Sequence, residues 1–158
     1  MTWSIILIVL FVAVVAYVNF SRYQRLIDEG QIIKRSANFE ETAEIFTLSN
    51  ASWERVWEEL RTADYHGAAS GSRDAQHPMI VYKGAGWGAE LYQMETDAGE
   101  KDSYYFHFTN WDTRNGVNPQ SEQMNTLLTT IEKVFLKIDP QTQVSTEDIK
   151  VKHRPKFF

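Results

Sequence analysis

The chain opens with a run of apolar residues that no polar side chain interrupts between Ile5 and Val18. With Trp3 and Phe20 the run reaches about 18 residues, or about 27 Å as a helix, which is close to the thickness of a bilayer's hydrocarbon core. A helix that is apolar on every side suits lipid better than the core of a small domain. The pattern therefore predicts one membrane-spanning anchor over residues 1–21.

A cleaved signal peptide is the alternative, and the flanks of the run disfavour it. No Lys or Arg precedes the run, and Asn19 to Arg22 make a poor cleavage site. Aromatic and basic residues near the ends of the run are typical of a membrane interface, predicted at Trp3, Tyr17, Arg22 and Arg25. Since every nearby Lys and Arg follows the run, we expect a single-pass plasma-membrane protein with its N-terminus outside and its soluble domain in the cytoplasm.

Beyond the anchor, Tyr23–Arg35 is predicted to continue the helix as a juxtamembrane stalk that Gly30 interrupts. The next helical pattern begins after Ser49 or Asn50, either of which would cap it, and ends near Asp64. Its apolar positions recur at i, i+3, i+4 and i+7, on Trp53, Val56, Trp57 and Leu60.

A second amphipathic helix is predicted from Asn118-Pro119, a capping side chain followed by proline at the first helical position. Asp139-Pro140 ends it. Its apolar stripe is long and regular, and consists of Met124, Leu127, Leu128, Ile131, Val134, Phe135 and Ile138.

Alternating apolar residues and turn signals predict the strands between and around these helices. The predicted strands are Phe39–Leu48, Met79–Lys83, Ala89–Thr96 and Ser103–Trp111. The segment 66–78 is either a long loop or a weak strand followed by a turn. Turns are predicted at 97–99 and at Asn115-Gly116, and alternation in 149–154 indicates a last edge strand with basic residues facing water.

This order predicts an α+β fold, with an antiparallel sheet of four or five strands and both amphipathic helices on one face. The predicted organisation is an anchor (1–21), a linker (22–38), a soluble domain (39–140) and a basic tail or edge strand (141–158). The element order resembles the sheet-and-two-helix folds of the TATA-binding-protein type, or a trimmed helix-grip fold. That resemblance rests on no motif and implies no function.

Charge changes the picture of possible partners. The net charge of −5 is unevenly distributed, because residues 36–146 contain eight basic and seventeen acidic side chains. Because duplex affinity comes mainly from neutralised phosphates, an acidic body between basic ends disfavours nucleic acid. The absence of cysteine excludes disulfides, cysteine metal sites and thiol nucleophiles.

Candidate chemical motifs are weak, and no cofactor, metal site or catalytic residue is predicted. The glycine-rich stretch Gly84–Gly88 precedes a predicted strand, whereas a phosphate loop needs a helix after it, so we interpret it as a hairpin turn or bulge. Gly67–Gly71 lacks the spacing of a hydrolase elbow. The four histidines show no zinc-ligand spacing. A carboxylate pair assembled from distant positions stays possible in principle.

The strand Ser103–Trp111 is the most informative feature for function. One face carries Tyr104, Phe106 and Phe108 and is expected to pack under the helices. The other carries Tyr105, His107, Thr109 and Trp111, so the face away from the helices is predicted to be aromatic. An aromatic open face covers a ligand, a partner or a membrane surface, or else the stalk or the C-terminal segment packs there. The candidate binding residues are Trp87, Tyr92, Tyr105, His107 and Trp111.

Replacing Trp111 or Tyr105 by Ala is accordingly expected to leave the domain folded and to weaken capture of a partner. The tail, with Phe157-Phe158 after three basic residues, is expected to be either disordered or in contact with the membrane. Two glycosylation patterns, at Asn19 and Asn50, are interpreted as chance matches.

The leading hypothesis is a non-enzymatic, membrane-tethered module that binds a protein partner or a hydrophobic ligand. The first alternative is an accessory subunit of a membrane complex. The second is a membrane-proximal enzyme that uses Asp, Glu, His or Tyr on a hydrophobic substrate.

Overall fold

The computed structural model describes residues 2–49, 51–95, 101–151 and 154–156, with backbone alone for 2–4 and 154–156. The chain divides into two compact units, Met1–Lys34 and Arg35–Phe158. The predicted turn at 97–99, the sequon at Asn50 and the tail residues Phe157 and Phe158 lie outside the described residues.

The first unit is the helix α1, Thr2–Asp28. It contains one segment long and apolar enough to cross a membrane, Ile5–Asp28, which fits a transmembrane anchor or a signal segment. Gly30, at a φ of 67°, ends it: the Gln31 amide donates to the Leu26 carbonyl at 2.8 Å, as in a Schellman motif. The predicted stalk is therefore helical only to Asp28, because a left-handed glycine stops the helix.

The second unit is an α+β domain with two helices and seven strands in its described residues. Their order is β1 Thr42–Leu48, α2 Trp53–Thr62, β2 Ser70–Arg73, β3 Met79–Gly84, β4 Trp87–Gln93, β5 Asp102–Arg114, α3 Ser121–Ile138, β6 Gln143–Asp148 and β7 Arg154–Lys156. Six strands form an antiparallel sheet in the order β2-β3-β4-β5-β1-β6, and β7 pairs with β5 in parallel.

Both helices cover one face of this sheet, as the sequence predicts. The Phe46 ring on β1 stacks on Phe135 of α3 with centroids 4.5 Å apart. Tyr104 on β5 contacts Phe135 and also Trp53 of α2, at 5.2 and 6.3 Å. All seven residues of the predicted α3 stripe are buried. The amphipathic period of the two helices therefore fixes which face of the sheet is covered.

The helix starts differ from the predictions. α2 is capped by Ser52, whose hydroxyl accepts the Arg55 amide, rather than by Ser49 or Asn50. The Ser49 amide instead donates to Asp139 at 3.0 Å. α3 begins at Ser121, because the predicted cap, Asn118, uses its side-chain oxygen to accept the Gln120 amide in a turn just before the helix.

The strands also differ in extent and number. A short 3-10 turn, Phe39–Glu41, replaces the start of the first predicted strand. The segment 66–78 contains a weak strand, β2, and not a simple loop. An edge strand lies within the predicted segment 141–158: it is β6, Gln143–Asp148, which pairs with β1 and precedes the alternation at 149–154. The sheet consequently has more strands than the predicted four or five.

Candidate functional site

The face of the sheet opposite α2 and α3, called the open face below, carries three of the five residues that the sequence singled out. On neighbouring strands, Tyr92 lies opposite Tyr105 and Glu90 lies opposite His107. Residues directly opposite in an antiparallel pair project to the same side of the sheet. All four are half-buried, so they form a continuous patch on β4 and β5.

The three rings of this patch are in mutual contact. Tyr92 and Tyr105 are stacked, with centroids 5.1 Å apart and planes 27° from parallel. His107 meets both rings edge-on, at 6.3 Å from Tyr92 and 5.5 Å from Tyr105. We call Tyr92, Tyr105 and His107 the aromatic platform. Stacked rings have little freedom to rearrange, so the platform presents a preformed surface.

Two carboxylates flank the aromatic platform and set its charge. The Tyr105 hydroxyl donates to Glu147 of β6 at 2.6 Å. Burial raises the pKa of Tyr105 and of Tyr92, and the charge of Glu147 raises both further. Burial lowers the pKa of His107, against the opposing effect of Glu90. At neutral pH the rings are therefore uncharged, and the carboxylates Glu90 and Glu147 give the platform a negative surround.

Trp87 and Trp111, the other two predicted site residues, lie on the opposite face. Both are buried in the core, 4% and 3% exposed. For Trp111 the cause is a β-bulge: Ala89 pairs with Phe108 and Gly88 with Asn110, which leaves Thr109 as an extra residue in β5. One extra residue reverses the alternation beyond it, so Trp111 joins Phe108 on the covered face and not Tyr105 on the open face. Trp87, expected near the rim of the open face, shares the parity of Ala89 and Leu91 on β4 and is buried with them.

The glycine-rich stretch is a hairpin turn beside this bulge, in agreement with the prediction. Gly84 pairs with Trp87 across the β3–β4 turn, and Gly86 has a φ of 86°. The Trp87 indole lies directly over Gly84, where a Cβ would meet the ring at 2.0 Å. A shallow depression of about 780 Å³ borders the turn, with Lys83, Glu90 and Asp112 among its walls. Because a strand follows the turn, it offers no helix N-terminus to a phosphate.

A second cavity, of about 470 Å³, lies where the 3-10 turn, the end of β5 and the start of α3 meet. Its buried carboxylate, Glu40, accepts hydrogen bonds from the Ser121 hydroxyl at 2.5 Å and the Asn118 amide at 3.2 Å. These bonds hold the loop before α3, so the Glu40 carboxylate has a structural role. Sequence reasoning missed this cavity because its walls come from three distant segments.

The least expected polar group is Glu44, which is 4% exposed beneath α3. The Arg35 guanidinium donates to Glu44, to Glu132 at 2.7 Å and to the Asn125 side chain at 3.1 Å. Burial raises the pKa of Glu44 to about 7, although Arg35 opposes the shift. Among the described atoms, its Oε2 has no hydrogen-bond partner.

The position of Glu44 was readable in the strand pattern. It shares the parity of Phe46 and Leu48 on β1, so its side chain must lie on the covered face.

The histidines do not assemble a metal site in the described part of the chain, where no group of three potential ligands occurs. His66 and His77 lie near Asp64 and Asp74, at 3.4 and 3.1 Å, in exposed loops. His153 lies outside the described residues. Hydrolase-type geometry is absent at Gly67–Gly71 as described, because the stretch leads into β2 and no helix follows it.

The predicted membrane-interface residues all fall within α1. Tyr17 is 72% exposed. Arg25 pairs with Glu29 at 2.6 Å, one turn further along the chain. The side chain of Trp3 lies outside the described residues. The apolar surface between Ile5 and Phe20 is exposed on every side, as a helix in lipid requires.

Comparisons with protein families, curated protein sequences and solved structures gave no match for this chain. The functional argument therefore depends on the site alone.

Proposed function

We propose that this chain is a single-pass plasma-membrane protein whose α+β domain is a non-enzymatic binding module, with the open face as its binding surface. One observation carries the proposal: the aromatic platform is preformed and half-exposed on a sheet face opposite the two helices. A domain of this size buries the large aromatic rings that only build its core. This domain does so with Phe46, Phe106 and Phe108.

Two features support the membrane tether and its direction. The apolar surface of α1 is exposed from Ile5 to Phe20, and burying it in lipid removes that surface from water. The basic residues Arg22, Arg25, Lys34 and Arg35 all follow the apolar run, which favours an outside N-terminus and a cytoplasmic domain.

Site-specific photo-crosslinking in membranes tests the binding surface. A photoreactive phenylalanine analogue replaces Tyr92 on the open face, and a matched chain carries it at Leu136, which is exposed on α3 in the helix layer. We expect a discrete adduct of defined mass from position 92 and none from position 136.

Equal adducts from both positions, or none from position 92, would contradict a binding role for the open face. An adduct formed only from a photoreactive residue inside α1 would instead favour the accessory-subunit alternative, because the anchor would then be the contact surface.

A further inference from the structure

The charge around the aromatic platform restricts what it binds. Glu90 is opposite His107 on the neighbouring strand, and Glu147 accepts the Tyr105 hydroxyl, so a carboxylate lies on each side of the stacked tyrosines. Within the part of the chain that the structure describes, neither carboxylate forms an ion pair with Lys or Arg. Lys83, opposite Gly88 on β4, is a basic residue on the same face.

A negative surround and half-buried aromatic rings together favour a cation. The face of a tyrosine ring is electron-rich and attracts a cationic group placed over it. Carboxylates at the ring edges accept hydrogen bonds from the same group. An anion or a neutral apolar ligand would gain nothing from Glu90 and Glu147, and would have to desolvate both.

The shape of the platform favours arginine over other cations. A guanidinium is planar, stacks on an aromatic face and keeps its five donors at its edge for carboxylates. A quaternary ammonium needs several aromatic walls around it, whereas Tyr92 and Tyr105 stack on each other and leave only their outer faces to a ligand. An ammonium group of lysine lacks the flat contact.

We infer that the aromatic platform, with Glu90 and Glu147, binds an arginine-bearing segment of a protein partner. This inference rests on the proposed function of the open face. It adds the chemistry of the ligand: one guanidinium stacks on the tyrosine pair and donates to a flanking carboxylate.

The test uses the full chain in nanodiscs of zwitterionic lipid, which lack anionic headgroups to attract a basic probe. The probes are a fluorescent glycine-serine peptide with two arginines and matched peptides with two lysines or two citrullines. Fluorescence anisotropy, corrected with empty nanodiscs, gives the affinities. We expect the arginine peptide to bind most tightly and the uncharged citrulline peptide to bind at least about tenfold more weakly.

Two double variants separate the site from general charge attraction. Glu90→Gln with Glu147→Gln removes both flanking charges, and Glu58→Gln with Glu59→Gln removes the same charge from α2 in the helix layer. We expect the first pair to weaken the arginine peptide about tenfold or more, and the second to change it less than about twofold. Tyr92→Leu is expected to weaken it about fivefold, since the ring face is lost.

Equal effects of the two double variants, or equal affinity for all three peptides, would overturn the inference. Displacement of the peptide by soluble phosphocholine would assign the platform to a lipid headgroup, and crosslinking of the chain to itself from position 92 would assign it to a second copy. Either result overturns the inference while the proposed binding function stands. Absence of both peptide binding and any adduct from position 92 would overturn both.

Discussion

Glu44 shows how a single residue balances burial against charge. Its side chain is 5% exposed, and within the described part of the chain its ion pair with Arg35 is the main compensation for the lost water. Arg35 also serves Glu132 and Asn125, so its charge is shared. Desolvation therefore outweighs the attraction, and the pKa rises to about 7 instead of falling, as it would for an exposed pair.

This raised pKa predicts that stability falls as pH rises. Because the folded state holds the proton more tightly than the unfolded chain, whose carboxyl has a pKa of 4.5, the contribution of Glu44 to stability is fully present below pH 4.5 and declines up to about pH 7. The loss is on the order of 3 kcal/mol in the free energy of unfolding. Urea unfolding of the full chain in detergent micelles at pH 5, 6, 7 and 8 measures it.

Glu44→Gln is expected to flatten that decline, since the amide does not titrate, whereas Glu58→Gln on the exposed side of α2 is expected to keep it. The comparison uses the slope of the unfolding free energy against pH. A pH-independent loss of stability caused by the amide beside Arg35 therefore does not affect it. Identical slopes in all three chains would show that Glu44 does not titrate in this range.

At the scale of elements, the helices were predictable and the strand faces only in part. The α3 stripe repeats over five turns, so one or two unusual residues do not alter its period. A strand has a period of two, and a single inserted residue moves every following side chain to the other face of the sheet. Thr109 is such a residue, and no sequence signal distinguishes it from its neighbours in β5. Tyr105 and His107 lie on the open face because they precede Thr109 in β5, and Tyr92 lies there because it pairs with Tyr105.

Because of the bulge, Trp111 is buried in the core whereas Tyr105 is half-buried on the open face, although the sequence predicts the same face for both. Trp111→Ala removes a buried indole and is expected to cost about 3–5 kcal/mol in the free energy of unfolding. Tyr105→Ala removes a half-buried stacked ring and is expected to cost about 1 kcal/mol. Urea unfolding followed by far-ultraviolet circular dichroism compares them at one pH. Similar costs for the two variants would place both rings in equivalent surroundings and contradict the bulge.

The whole molecule combines an apolar helix, an acidic domain and basic ends. These properties come from composition along the chain, which is why the long apolar helix and the charge distribution were predictable from sequence. The Glu40 cavity and the Arg35 network were not, since each joins residues up to 81 or 97 positions apart. A partner that carries arginine would also be drawn to the domain by its long-range negative field, which raises association rates at low salt.

The orientation of the chain across a membrane decides which partners can reach the negative field of the domain. The chain has no cysteine, so Ser72→Cys on the exposed strand β2 gives a single labelling site, and Thr2→Cys is the matched control near the other end of the apolar helix. With a membrane-impermeant maleimide we expect Thr2→Cys to react in intact cells and Ser72→Cys to react only after lysis, because positive residues after the apolar run favour a cytoplasmic domain. The reverse result would place the open face outside the cell. An arginine-bearing partner would then have to be extracellular, and the sequence Asn50-Ala51-Ser52 would face the glycosylation machinery in a eukaryotic host.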